Sequence, residues 1–527
     1  MNGRSLRSGF LCSRASHPDR PALIVSDRTL TFAEVDYRAR QWAHGLLESC
    51  THPPQRVGVF AYRSTESYIG QLAALYAGAT FVPLNRKFPP ARTRKMIQAA
   101  ELDAIILDEA SATQLAEVLV DIDKIPALLF PAGGAATSLT GTKVLDCAAL
   151  SDLTPLRELP AVSPFQTGYL LFTSGSTGQP KGVPVTHANV LYFLDVMAQR
   201  YQITPEDRFS QTFDQTFDLS IFDVFLAWNG GACVCAMQPL DLIAPARFVA
   251  NHGVTVWFSV PSLPALMRRK GTLVPGVFPT LRLSLFCGEP LPRQSAEAWQ
   301  TAAPNSIVEN LYGPTELTIA CFAYRWHPQS SPQLCVNETV PIGRPYEGLA
   351  AIVVDEQLSP VPPGDDGELL VAGPQTVPGY WHDHRRTAER FVTLPYVEEP
   401  GLRFYRTGDR VRQLPNGDYA FLGRSDYQIK VLGYRVELGE IEAALCQDDA
   451  VTQAVALGWP IAEGTAESIV AFVCGYDVNT DRILTRVRGK LPDYMTPRHI
   501  YLLDEMPLNA NGKIDRKALL ERLTRMA

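Results

Sequence analysis

Between residues 30 and 107, short β-rich runs alternate with amphipathic helical stretches, and this order constrains the fold more than any other feature of the chain. Residues 30–47, LTFAEVDYRARQWAHGLL, read as a strand end, a Thr31 cap and an amphipathic helix, with Glu34 completing a capping box. Residues 56–60 and 81–84 are β-rich, with a helical stretch at 66–76 between them, and 102–107 repeats the strand signal after another helical segment. Strands that alternate with helices predict parallel α/β layers, because a parallel neighbour is reached only by a crossover. The alternation resumes after Pro155, Pro160 and Pro164 and continues to about residue 320. From Ile342 the text changes to short strands with Gly and Pro turns (PIGRPYEG, PPGDDGELLVAGP, LPNGDYAFLGR), which predicts a β-rich section. After Arg424 a smaller α+β pattern runs to the end, and neither internal repeats nor low-complexity tracts interrupt the chain.

Composition removes several classes of function. At ~150 residues per domain, 527 residues allow three or four compact units. A net charge of −7 speaks against electrostatic capture of nucleic acid. After Arg4 and Arg7, the N-terminal text MNGRSLRSGFLCSRAS has an apolar stretch only at 9–12 before Arg14 interrupts, against the ~7–15 residues that a secretory signal needs. The uncharged run 224–240 contains Asn229 and Gln238 and is short of the ~20 apolar residues of a membrane span. No membrane partner is expected. Ten irregularly spaced cysteines fit reduced thiols and a cytoplasmic protein. Cys233 and Cys235 fall on one face of a strand, without a second pair at zinc-ligand spacing, and read as a buried strand.

Four motifs carry chemistry. Residues 173–182, TSGSTGQPKG, follow the apolar run 168–172; Thr173, Ser174, Gly175, Ser176, Thr177 and Gly178 form a loop whose N–H groups can surround phosphate oxygens, with Lys181 adding charge. The Walker spacing is absent, and alone the loop would pass for a surface turn. Residues 310–316, NLYGPTE, put Asn310, Leu311, Tyr312, Gly313, Pro314, Thr315 and Glu316 in one short loop; Tyr312 can stack on a base and Glu316 can hold Mg²⁺. Asp409 in YRTGD can accept ribose hydroxyls, and residues 423–442 read on their own as a charged surface hairpin running into a capped helix. Lys513 sits in LNANGKIDRK, which alone would be a solvated basic tail.

Taken in order and spacing, these motifs resemble the ANL superfamily: acyl-CoA synthetases, firefly-type luciferases and the adenylation domains of non-ribosomal peptide synthetases. The resemblance runs from LTFAEVDYRA at residue 30 through FVPLNRKFPPAR at 81 to NGKIDRK at 511. GELLVAGPQTVPGYW, YRTGDRV and GYRVELGEIEAAL look like amino-acid adenylation domains more than fatty acyl-CoA synthetases. The resemblance implies an α/β fold. Residues 1–425 would form a large N-terminal domain of two α/β subdomains plus a small β-barrel-like section from about 340. Residues 426–527 would form a small mobile α+β lid, hinged at Asp426. It also implies ATP and Mg²⁺ as cofactors. The loop from Thr173 to Lys181 would hold the β- and γ-phosphates, Gly288, Glu289 and Pro290 would edge the adenine, and Tyr312 would stack on it. Glu316 would bind Mg²⁺, Asp409 and Arg424 would serve the ribose, and Lys513 would bridge substrate carboxylate and nucleotide. One lid orientation would bring Lys513 to the site and the other the segment around Gly433.

Asp218, with Phe217 beside it in QTFDLSIFDVF, sits where amino-acid adenylation domains place the partner of the substrate ammonium. The aligned lining adds Leu219, Phe222, Phe258, Leu285, Cys287, Leu311, Ile319 and Ala320, with Lys513 at the carboxylate end. That lining is apolar, so a polar substrate side chain would lose ~1–3 kcal/mol for each unpaired group. The bulk of Phe222, Phe258 and Leu285 predicts a shallow pocket. The lining resembles proline-activating enzymes first, and D-alanine–carrier protein ligases second, through LFCGE at 285–289. Only ten residues follow Lys517, so the expected partner is a separate holo-carrier protein, recognised by local contacts near the domain junction.

Overall fold

The computed structural model describes residues 4–133, 141–174, 180–399, 401–426, 428–462, 465–508 and 514–526. The alternation at the start of the chain builds a seven-stranded sheet, ordered Val144–Leu145, Ala127–Leu129, Ala104–Leu107, Arg56–Phe60, Thr80–Leu84, Thr167–Thr173, Lys181–Thr186. Its strands are parallel except the last pair, an antiparallel hairpin. The residues that join this hairpin are those of the phosphate-loop motif. A nine-stranded sheet follows, with a parallel centre and antiparallel pairs at both ends. Cys233 and Cys235 lie buried in its Cys233–Ala236 strand, as their spacing predicts.

One hydrophobic core joins the two sheets, with Val57, Phe81 and Tyr169 from the first and Phe209, Phe258 and Leu285 from the second. Helix Thr65–Tyr76 runs through that core buried on every side. The predicted capping box is present: Glu34 N–H donates to Thr31 Oγ1 at 3.2 Å and Thr31 N–H to Glu34 Oε2 at 2.8 Å. It starts the Phe32–Ser49 helix, which packs on Thr65–Tyr76.

The β-rich section is a five-stranded antiparallel sheet of Ala350–Val354, Asp366–Ala372, Phe391–Val392, Phe404–Gln413 and Tyr419–Arg424. It begins a little after Ile342 because Arg344–Pro345 still pairs with the nine-stranded sheet. The small C-terminal domain packs helices Leu438–Leu445 and Thr480–Arg488 on two short sheets around its own core. Its first hairpin, Gln428–Val431 and Tyr434–Glu437, turns through Leu432 and Gly433, at φ of 50° and 84°. Two successive positive φ values match the tight hairpin turn whose twist suits the flanking strands.

This domain is seated on the large one. Arg92 on helix Pro90–Ala100 donates to Glu440 at 2.6 Å, both side chains buried. Tyr494 stacks on Tyr434 with ring centroids 3.9 Å apart, and it packs against both domains' cores.

Candidate active site

Strand ends bring most of the predicted residues to one place. The Leu283–Phe286 and Ile307–Tyr312 strands are parallel neighbours, so Cys287, Gly288 and Glu289 emerge beside Tyr312 and Gly313. Gly313 is required by close approach: a Cβ there would lie 2.5 Å from Ala320 Cα. A cavity of about 450 Å³ is lined by Phe217, Asp218, Leu219, Cys287, Gly288, Glu289, Pro290 and the run from Asn310 to Thr315. Asp409, Arg424 and Asp426 line it from the β-rich section, and Lys430, Gly433 and Arg435 from the hairpin of the small domain.

Asp218 is buried, and its Oδ2 has no hydrogen-bond partner. Burial pushes its carboxyl up to about 6, while Thr315 and Lys430 pull the other way. A buried carboxylate with a free oxygen is built to receive a cation. Cys287 lies in the same lining, and burial raises its thiol to about 12. Asp409 accepts from Tyr312 Oη on Oδ2 and from Arg424 Nη1 on Oδ1, each at 2.5 Å. A carboxylate has about four lone-pair sites, so both oxygens can still accept from a diol. Arg424 also grips Asp426 at 2.7 and 2.9 Å, so one guanidinium joins Asp409 to Asp426.

Some predicted residues take other places. Phe222, Phe258 and Leu285 are fully buried and stand outside the cavity lining. Phe222 and Phe258 meet edge to face at 4.8 Å, and Phe213 closes on Phe258 at 4.9 Å. They form the wall behind the lining. Ile319 and Ala320 follow the short 3₁₀ turn Thr315–Leu317, and just after that turn Thr318 and Ile319 hold φ of 56° and 74°. Positive φ at β-branched residues costs roughly 1–3 kcal/mol each and needs outside support. Gln375, which the motifs do not reveal, supplies it: its Nε2 donates to the carbonyls of Leu317, Thr318 and Ala320 at 3.0, 3.2 and 2.7 Å. Gln375→Ala should therefore lower stability by about 2 kcal/mol, read as a shift of the urea midpoint without change of slope.

The carboxylate of Glu289 bridges Ser262 N–H at 2.8 Å and Gly433 N–H at 2.6 Å, so this side chain joins the two domains. Glu316 is fully buried behind Lys181, which donates to Oε1 at 3.0 Å. Tyr380 Oη donates to the same oxygen at 2.8 Å, and Arg435 reaches Oε1 at 3.1 Å and Oε2 at 2.9 Å. Burial opposes the charge of Glu316, but Arg435 and Lys181 outweigh it and hold the carboxyl well below its usual range. Burial and the neighbouring Arg435 together pull Lys181 down to about 8. In this arrangement Glu316 does not fit Mg²⁺, because organic cations take both of its oxygens. Gly175, Ser176, Thr177, Gly178 and Lys513 lie outside the described residues; Thr173 ends its strand and Ser174 is buried against the small domain. Among the described residues no cluster of three or more His, Cys, Asp or Glu could hold a metal, and no helix is long and apolar enough to cross a membrane.

Two α/β layers with a small domain closed over their strand ends thus surround a cavity of about 450 Å³. The chain belongs to the AMP-binding enzyme family: that family's profile matches residues 12–381, and the AMP-binding enzyme C-terminal domain matches residues 440–513. It is 32% identical over 508 residues to tyrocidine synthase 2 of Brevibacillus parabrevis, covering 95% of this chain and 13% of that protein. Across the first three curated relatives it spans 9%, 6% and 13% of their lengths. Among solved structures, IdnL7 is 38% identical with a TM-score of 0.73, covering 99% of both chains. The Vibrio cholerae adenylation domain AlmE, in complex with glycyl-adenosine-5′-phosphate, is 29% identical with a TM-score of 0.86, covering 100% of this chain and 98% of that one.

Proposed function

We propose that the protein activates a small neutral amino acid with ATP and passes it to the phosphopantetheine thiol of a carrier protein, a separate one. The carrying observation is the free Oδ2 of buried Asp218, set in an apolar lining within the cavity that also holds Asp409 and Tyr312. The substrate ammonium pairs with Asp218, and its carboxylate faces the α-phosphate. A carboxylate oxygen attacks the α-phosphorus and pyrophosphate departs, leaving aminoacyl-AMP. Lys513 stabilises the charge that builds at the α-phosphate, and Mg²⁺ accompanies the triphosphate. In the second step the thiolate attacks the acyl carbon, a thioester forms and AMP leaves.

L-proline is the first candidate, on the resemblance of the aligned lining to proline-activating enzymes and on the apolar Phe217, Leu219 and Cys287 beside Asp218. D-alanine, or another small amino acid such as glycine, is the second reading, supported by the glycyl adenylate in the AlmE neighbour. For the thiol, a second cavity of about 520 Å³ runs under Leu432 and Arg498 and shares Phe217, Pro290, Gly433 and Ala466 with the first. An acyl-CoA synthetase would have no use for Asp218. The large domain ends and the mobile lid begins at Asp426 in this reading.

Lys513→Ala should abolish pyrophosphate exchange while ATP affinity stays within about tenfold (~1.4 kcal/mol), because the lysine acts as charge develops. Near-normal exchange would remove Lys513 from the mechanism. A pH profile tests Asp218. Its carboxyl, raised to about 6, must be ionised to hold the ammonium, so kcat/KM for the amino acid should fall as pH drops through about 6. A flat profile from pH 5 to 7 would contradict that role.

A further inference from the structure

A third cavity, of about 670 Å³, lies between helix His187–Tyr201, strand Phe322–Arg325 and the turn at residues 416–418, with exposed Arg344 and Glu347 on its rim. Tyr346 lines it from the inside. The ring is buried, and its Oη, buried too, has no hydrogen-bond partner. Strand register shows which way this side chain faces. Leu285 pairs with Glu309, Leu311 with Ala323 and Ala323 with Arg344, so all of them face one side of the nine-stranded sheet. Cys287 and Tyr346, each two residues further on, continue that face. Burial, with the Cys287 and Cys321 thiols close by, pushes the Tyr346 hydroxyl well above its usual range. Its backbone N–H donates to the Cys321 carbonyl at 2.9 Å. Its ring centroid lies 6.4 Å from that of Phe193, which lies 6.0 Å from Phe222 in the wall behind the lining. Cys287 lines the amino-acid cavity, so Tyr346 stands between that cavity and the outer one.

On the reading given under Proposed function, we propose that Tyr346 is a specificity-determining residue: its ring is the floor of the amino-acid side-chain pocket, and its hydroxyl gives that floor one hydrogen-bonding group. The ring limits length. A substrate side chain that runs past Cys287 meets it, and the space beyond belongs to the outer cavity. The hydroxyl reads chemistry. A buried hydroxyl left without a partner is costly, so a substrate hydroxyl that reaches it is favoured over a methyl group of the same size. Within the small neutral amino acids this favours serine over 2-aminobutyrate, its match in chain length, and it turns away long chains such as norleucine. Tyr346 stands apart from the aligned pocket positions because it reaches the floor from just past Arg344–Pro345, the strand at the edge of the sheet.

The test compares ATP–pyrophosphate exchange with alanine, serine, 2-aminobutyrate and norleucine. Tyr346→Phe keeps the ring and removes the hydroxyl. It should lower the serine-to-2-aminobutyrate ratio of kcat/KM about tenfold, while alanine and the length limit stay as in wild type. Tyr346→Ala removes the floor and joins the two cavities. It should raise the norleucine-to-alanine ratio at least about tenfold, through KM for the amino acid and with the ATP KM unmoved. Tyr346→Leu, a smaller cut in case the alanine variant fails to fold, should give a lesser gain of the same sign. Val196→Ala, which enlarges the outer cavity from helix His187–Tyr201, should leave both ratios at their wild-type values. A serine-to-2-aminobutyrate ratio unchanged in Tyr346→Phe, or a norleucine-to-alanine ratio unchanged in the alanine and leucine variants, overturns the proposal. Wild-type protein that exchanges with no amino acid would instead overturn the adenylation reading on which it rests.

Discussion

Gly433→Leu is expected to cut carrier loading at least 100-fold while pyrophosphate exchange stays within a few-fold of wild type. Gly433 holds φ of 84°, and a Cβ there would lie 2.5 Å from Val260 Cγ1. Strain of about 1–3 kcal/mol from backbone conformation, with the clash added, disfavours the seated hairpin and its N–H contact to Glu289. On the proposed reading, adenylation uses the other lid orientation and does not meet Val260. Comparing single-turnover thioester formation with exchange in the same preparation checks this; equal losses in both half-reactions would show a general defect instead.

Asp218→Ala should lower kcat/KM for the amino acid by about 100–1,000-fold, since breaking a buried ion pair costs roughly 3–5 kcal/mol. The loss should appear mainly in KM for the amino acid, and the ATP KM should barely move. Carboxylic acids lacking the amine should gain relative to the amino acid in this variant. If the amino-acid KM stays at its wild-type value, Asp218 is not the ammonium partner.

The contrast between these two residues marks where the sequence is legible. Asp218, Asp409, Tyr312 and Arg424 are legible as a group because each stands in a motif with fixed residue types and spacing, and the structure gathers all four around one cavity. The α/β layers are legible for a similar local reason: capping boxes and alternating patterns act within a few residues, as at Thr31 and Glu34. Depth is not legible. Phe222, Phe258 and Leu285 align with pocket positions, yet their rings and branches pack against one another behind the lining. Gln375, Tyr380, Lys430 and Arg435 escape a reading of the motifs because their work depends on partners 55–119 residues away or in the other domain. Both GPQTVPGYW and QIKVLGYRVE are recognisable as motifs, but a motif read as text does not say which carboxylate or carbonyl its side chains reach. Residues 423–442 do contain a hairpin running into a helix. It is turned into the site instead of towards solvent.

The most direct test of the central claim is ATP–pyrophosphate exchange across the twenty amino acids, with D-alanine and propionate added. Exchange should be confined to small neutral amino acids, with L-proline, glycine and the two alanines the strongest, and propionate should stay near background because it offers nothing to Asp218. Exchange that is as fast with propionate as with the best amino acid, or absent with every amino acid, would contradict the account.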